Sequence, residues 1–498
     1  MRANGILMHI TSLPSPYGIG TMGSEAYQFI DFLKKSGQSY WQIRPVCPTS
    51  YGDSPYQSFS TFAGNPYMLD LDMLAEDGLL EPEEYKKKDW GYSQEHVDYG
   101  LMYQMRYPVL RIACKRFLEN APADYDKFCR DAFWLDDYAL FMALKDANEG
   151  RPWSEWDDDI RFRKPEVLAE LRTKYKDDID FWKAVQFLFI RQWTELKAYA
   201  NENGIKIIGD VPIYVSADSV DVWSNPDQFQ LDENLTPIEV AGCPPDYFSA
   251  DGQLWGNPLF DWDEMKKNGY RWWIARIRHM CSLYDVVRID HFRGFASYYA
   301  IPYGDPTAVN GRWKKGPGFD LFKKIREELG EQSIIAEDLG VQGRDVTDLL
   351  RETGFPGMKV EEFAFDSDGN SGYKPHEYPF KCVAYTGTHD NEPVLGWFDS
   401  VPEKSQKCAI EYLNLTKKEG YGWGMMRGIW ASAADLTIVT AQDILELGHE
   451  ARMNTPSTTG SNWSWRAKPG AFTERIAQRL HRAMVMYGRL PEEKETEG

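Results

Sequence analysis

Eight short runs rich in β-branched and aromatic residues recur along the chain, and each is followed by polar loop chemistry and then a helical period. They are GILMHI (5–10), SYWQIRPV (39–46), IKIIGDVPIYV (205–215), DVVRIDHF (285–292), SIIAEDLG (333–340), GMKVEEF (357–363), CVAYTGTHD (382–390) and LTIVTAQDIL (436–445). Strands that alternate with helices pair in parallel, and eight of them point to a (β/α)8 TIM barrel in the α/β class; an open doubly wound sheet is the competing topology. Helix boundaries support the alternation: Ser24 opens SEAYQFIDFLKKSG with Gly37 at its end, and RDVTDLLRETG closes on Gly354. With 498 residues, 43% of them hydrophobic, the chain can bury a large core. Two connections are too long for a plain barrel. Residues 65–180 are expected to form a helical subdomain inserted after the second strand. Residues 216–284, rich in Pro, Gly and aromatics, are expected to form an ordered lid and substrate loop after the third.

Charge and cysteine usage narrow the partners. The 56 basic and 76 acidic residues leave a net charge of −20, which repels nucleic-acid phosphates and anionic lipid surfaces and favours a neutral or small substrate. No apolar run approaches the roughly 20 residues of a membrane span, and the start lacks the order of a signal peptide, so a cytoplasmic protein with no membrane partner is expected. The seven cysteines are dispersed with no CxxC, which suits a reducing compartment and gives no zinc or other metal site. No strand leads into a glycine-rich phosphate loop, so no cofactor is expected and a nucleotide-sugar transferase is disfavoured. The 18 Trp and 28 Tyr serve core packing, but aromatics clustered with polar loops also build a groove on which sugar rings stack.

Barrel active sites lie at the C-terminal ends of strands. Four of the runs carry an acid there: IIGD at Asp210, VRID at Asp290, IIAED at Glu337 and GTHD at Asp390. Any one acid serves as well as a helix cap or a loop tie. Four at one end, beside Arg288, His291 and His389, favour chemistry over structure. Paired carboxylates without a metal motif suit cleavage of a glycosidic bond, where one acid protonates the leaving oxygen and another attacks the anomeric carbon. In VVRIDHFRGF, alternation puts Arg288 and Asp290 on one face and Val287 and Ile289 on the other. Arg288 is therefore expected to keep Asp290 ionised, and the apolar approach Ile334-Ile335-Ala336 to favour a protonated Glu337.

VRIDHFRGF, AEDLG and YTGTHDN resemble the three catalytic segments of the amylomaltases, the 4-α-glucanotransferases related to the α-amylase barrel enzymes. The resemblance extends over HITSLPSPYGIGTMG, YGDSPYQSFSTFAGNPY, GDVPIYVSADSVDVW, AGCPPDYFSADGQLWGNPLFDW and NTPSTTGSNWSWR, nearly the whole chain. Because HITSLPSP begins at residue 9, the resemblance is to the compact form without extra N-terminal domains. It implies that Asp290 is the nucleophile, Glu337 the general acid/base and Asp390 the third acid. It assigns binding roles to Tyr56, Asp210, Arg288, His291 and His389, with Ser54, Asp246, Gln253, Trp255, Asn257 and Asn462 in surrounding loops. The implied activity is transfer of α-1,4-glucan segments between malto-oligosaccharides, starch or glycogen-derived glucans, with glucose as an acceptor. An α-glucan hydrolase of the α-amylase type is the alternative, and a glycan-binding protein on a dead barrel would require loss of one of the three acids.

Overall fold

A computed structural model describes residues 2–245, 249–340, 343–365 and 372–491. Within them twelve strands run in the order β1 (Ala3–Leu7), β2 (Tyr40–Gln42), β3 (Lys206–Val211), β4 (Glu239–Cys243), β5 (Gln253–Pro258), β6 (Val286–Ile289), β7 (Ser297–Pro302), β8 (Arg312–Lys315), β9 (Ile334–Ala336), β10 (Gly357–Val360), β11 (Cys382–Tyr385) and β12 (Leu436–Thr440). Eight of them pair in the order β10-β11-β12-β1-β2-β3-β6-β9, every pair parallel. The edges β9 and β10 meet where the Ala336 N–H donates to the Pro356 carbonyl at 3.0 Å, which brings the ring round into a barrel. All eight runs read from the sequence supply these strands. They are shorter than the runs, because the polar residues that follow each apolar stretch leave the ladder to form the loops above it.

Strand alternation sorts the side chains. Leu7, Ile208, Ile335, Met358, Val360, Val383, Tyr385 and Ile438 fill the barrel interior as one cluster. Val287 and Ile289 face outward into the larger layer between sheet and helices. Gly209 is required where β3 passes Tyr284, since a Cβ there would stand 2.2 Å from the tyrosine ring.

Between β2 and β3 the chain forms helices that include Tyr99–Glu119, Leu135–Ala147 and Lys176–Glu202, the last leading directly into β3. Two buried glutamines on the long helix grip the segment that follows β2. Gln186 accepts from the Gly64 N–H at 2.7 Å and donates to its carbonyl at 2.9 Å, and Gln192 accepts from the Asp70 N–H at 2.8 Å. These pairs satisfy backbone groups that burial would otherwise leave open, and so anchor the far end of the stretch that carries Ser54 and Tyr56.

The stretch expected to be an ordered loop after β3 is more regular than that. β4 and β5 pair antiparallel, and with β7 and β8 they form a second, four-stranded sheet in the order β5-β4-β7-β8. Its strands are short and its Gly-rich sequence masks the alternation, which survives in the part-buried, exposed, part-buried, exposed pattern that opens QLWGNP. Among the described residues no helix is long and apolar enough to cross a membrane.

Candidate active site

The opposite charges of VVRIDHF are resolved by register. β3 pairs with β6 so that Asp210 lies opposite Arg288, both pointing into the barrel. Arg288 Nη1 donates to both carboxylate oxygens of Asp210, at 2.7 and 2.6 Å, and to Oδ1 of Asp290 at 3.0 Å. Its Nε reaches the sulfur of Met358 at 3.4 Å. The side chains of Arg288 and Asp210 are 4% and 1% exposed, whereas Asp290 is 29% exposed. Asp210 is therefore the buried counter-ion, and Asp290 is the partner presented to solvent. Burial alone would lower the arginine's pKa; the two carboxylates outweigh it, and the guanidinium stays charged.

Glu337, the residue after β9, is fixed by main-chain donors: the His291 N–H meets Oε2 and the Leu339 N–H meets Oε1, both at 2.7 Å. His291 can aim its amide there because its φ of 49° turns the backbone left-handed just after Asp290. Further bonds run from the Glu337 N–H to the Ile289 carbonyl and from the Phe292 N–H to the Glu337 carbonyl, each 2.9 Å, so the two acids ride on one ladder. Burial first, and the neighbouring Asp290 second, push Glu337 up to about 7 despite the two amides and Arg288, which act the other way.

Asp390 is not at a strand end. It lies five residues beyond β11, in the loop, where Asn454 Nδ2 donates to Oδ1 at 2.6 Å and Arg452 Nη2 donates to its main-chain carbonyl at 2.9 Å. Although its side chain opens to the cleft, partial desolvation by the surrounding walls raises its pKa, opposed by Asn454 and by Arg288, Arg452 and Arg44. Beside it His389 is held down to about 3, by burial and then by Arg288, so its ring is neutral. Tyr56 stacks on His389 at 4.9 Å and donates a hydrogen bond from its hydroxyl to Asp210 Oδ2 at 2.8 Å. On the opposite wall His291, held down to about 4 by burial, meets Trp255 edge-on at 4.8 Å, and its Nε2 is buried without a partner among the described residues.

These groups line or underlie one cleft of about 620 Å³ at the barrel mouth. Ser54, Tyr56, Gln253, Trp255, Asn257, Asp290, His291, Glu337, His389 and Asp390 face it, while Asp210 and Arg288 lie beneath. Ser54 accepts from the Tyr56 N–H at 3.2 Å and so shapes the turn that presents the ring. Asn257 is tied to the Val215 carbonyl at 2.8 Å, and Trp255 Nε1 donates to Gln253 at 3.0 Å. Asp246 lies outside the described residues, as do Tyr247 and Phe248. Asn462 does not face the cleft: its side chain accepts from the Thr455 N–H at 3.0 Å and donates to the Thr458 carbonyl at 2.9 Å, closing its own loop. Sequence reasoning missed Asn454 and Trp463, which do face it, and Trp463 packs near Tyr56 and His389 at 5.6 and 5.8 Å. Both lie in or beside NTPSTTGSNWSWR, a motif that signals a loop without saying which of its amides turns inward. Among the described residues no group of three or more His, Cys, Asp or Glu side chains is placed to hold a metal ion.

A ring of eight parallel strands with two carboxylates of contrasting surroundings at its C-terminal mouth, walled by aromatic rings, defines a barrel enzyme of glycosidic-bond chemistry. Comparison with known proteins makes the class specific. A family model described as 4-alpha-glucanotransferase matches residues 8–473. A 4-alpha-glucanotransferase of Clostridium butyricum is 52% identical over 97% of this chain and 100% of its own, and one of Thermus thermophilus is 47% identical over 97% and 98%. The amylomaltase from Streptococcus agalactiae in complex with acarbose superposes with a TM-score of 0.97 at 44% identity, covering 99% of this chain and 100% of that one. The chain belongs to the 4-alpha-glucanotransferase family.

Proposed function

We propose that the chain moves α-1,4-glucan segments between malto-oligosaccharides by a retaining double displacement. Asp290 attacks the anomeric carbon of the donor as the C1–O4 bond breaks, and the Glu337 proton goes to the departing O4. The glucosyl ester on Asp290 is then attacked by the 4-hydroxyl of an acceptor, whose proton returns to Glu337 and whose oxygen displaces Asp290 from C1. Asp390 and the neutral rings of His291 and His389 hold sugar hydroxyls, and Tyr56, Trp255 and Trp463 give the pyranose rings apolar faces to lie on. The observation that carries this reading is the contrast between the two acids: Arg288 holds Asp290 by a charged hydrogen bond at 3.0 Å, whereas burial pushes Glu337 up to about 7. Short glucans released from starch or glycogen are the substrates, with glucose as an acceptor. The seven dispersed cysteines, with no CxxC among them, support a reducing cytoplasm as the setting of the reaction.

Transfer and hydrolysis separate in one experiment. On maltotriose the protein is expected to yield glucose and longer chains while total reducing ends stay constant. Reducing ends that climb with turnover would instead identify an α-glucan hydrolase. Acarbose, the ligand named in the Streptococcus agalactiae structure, is expected to compete with maltotriose for the cleft.

A further inference from the structure

The loop after β11 and the loop after β12 meet through one guanidinium. Arg452 Nη1 donates to Oε1 of Glu392 at 2.5 Å, Nη2 to the carbonyl of Asp390 at 2.9 Å and Nε to the carbonyl of Asn454 at 2.9 Å. All three faces of the planar fork are thus used, one on a carboxylate and two on the main chain of the residues whose side chains bond each other at 2.6 Å. Glu392 is itself seated. Its side chain is 13% exposed, His449 Nδ1 lies 3.0 and 3.1 Å from its two oxygens, and a Cβ at Gly396 would stand 2.9 Å from Oε2.

We infer that Arg452, seated by Glu392, is a positioning residue that fixes the carboxylate of Asp390 for the bound sugar. Without the fork, the two carbonyls lose the donor that sets their separation, and the Asp390 carboxylate keeps only the Asn454 amide and the His389 ring, whose Nε2 lies 3.5 Å from Oδ1. The side chain of Asp390 is 48% exposed at the cleft mouth, and no main-chain donor reaches its carboxylate among the hydrogen bonds of the described residues. Lysine at 452 would keep the charge but cannot span three acceptors, so it separates the role of the fork from that of the charge. The inference rests on Asp390 touching substrate as proposed above.

The test is a double-mutant cycle on acarbose affinity, read by calorimetry, which does not depend on turnover. Arg452→Lys and Asp390→Asn are each expected to weaken binding about tenfold, and the double variant to bind within about threefold of Asp390→Asn alone. On maltotriose, Arg452→Lys is expected to lower kcat at least about tenfold with little change in KM. Losses that multiply in the double variant, or wild-type affinity and kcat in Arg452→Lys, would overturn the inference. If Arg452→Lys melts well below wild type, Glu392→Gln takes its place, with a weakening in the wild-type background that vanishes beside Asp390→Asn; equal weakening in both backgrounds overturns the inference. A wild-type protein that neither binds acarbose nor disproportionates maltotriose contradicts the functional reading itself, and the inference falls with it.

Discussion

The two halves of the catalytic mouth are built by different means. On the β6–β9 side, Asp290 and Glu337 each follow a strand by one residue, and main-chain hydrogen bonds at 2.9 Å join their segments. On the β11–β12 side, Asp390 sits five residues into a loop and is located by side chains, those of Asn454 and Arg452. The first arrangement inherits its precision from the barrel ladder, while the second must be assembled from residues more than sixty positions apart. Bond-making atoms tolerate little displacement, because small errors in a near-attack geometry cost large factors in rate. Hydroxyl-holding groups can sit on loops that adapt to the sugar. The difference predicts that substitutions on the strand side abolish chemistry at constant fold, and that those on the loop side grade it.

The largest effect is expected at Asp290. Asp290→Asn keeps the volume but cannot form the glucosyl ester, and turnover of maltotriose should fall by at least about 10⁴, or ~5.5 kcal/mol in the barrier. Its melting temperature should stay near wild type, since Arg288 retains both bonds to Asp210.

Glu337→Gln comes next, with a loss of about 10² to 10⁴ on maltotriose and much less in the first release of fluoride from a glycosyl fluoride, whose leaving group needs no proton. The same residue sets a pH limb. Its protonated form is the acid and its pKa is about 7, so kcat on maltotriose should decline as pH rises through that value. The first release of fluoride by the Gln variant should be flat there. An equal loss on both donors would remove Glu337 from the role of acid.

Asp210→Asn tests the buried half of the strand-side pair. Removing one partner of a buried ion pair costs about 3–5 kcal/mol of stability, and the loss should appear in denaturant midpoint at an unchanged m-value. Glu392→Gln on the loop side, where Arg452 is 20% exposed, should cost only about 1 kcal/mol.

That contrast also explains what the sequence could tell. Short runs of β-branched and aromatic residues located every barrel strand, and alternation put Arg288 and Asp290 on one face, because both patterns are local. The register that sets Asp210 against Arg288 is not local: it depends on β3 and β6 lying side by side, across an intervening stretch of 74 residues between Val211 and Val286. The second sheet was hidden for a similar reason, since β4 and β5 complete it only with β7 and β8 from beyond the catalytic segment. Asn454 and Asn462 carry the same local signal, yet one turns to Asp390 and the other to its own loop.

The smallest effect concerns Trp255, which lies on β5 with one edge toward His291. If the partly buried ring at the cleft wall shields the proposed glucosyl ester from water, Trp255→Ala should raise glucose equivalents released per transfer event by a few fold while lowering turnover. An unchanged ratio together with a large drop in melting temperature would make Trp255 a packing residue.

The central claim is that Asp290 carries the glucan between donor and acceptor. The most direct measurement is mass spectrometry of Glu337→Gln protein mixed with α-maltotriosyl fluoride and no acceptor. The account predicts a protein heavier by one maltotriosyl group, with the label on the peptide containing Asp290 and discharged only slowly by maltose or glucose, because the acceptor's proton no longer has Glu337 to take it. Fluoride release without any labelled protein, or a label on a peptide that lacks Asp290, would contradict it.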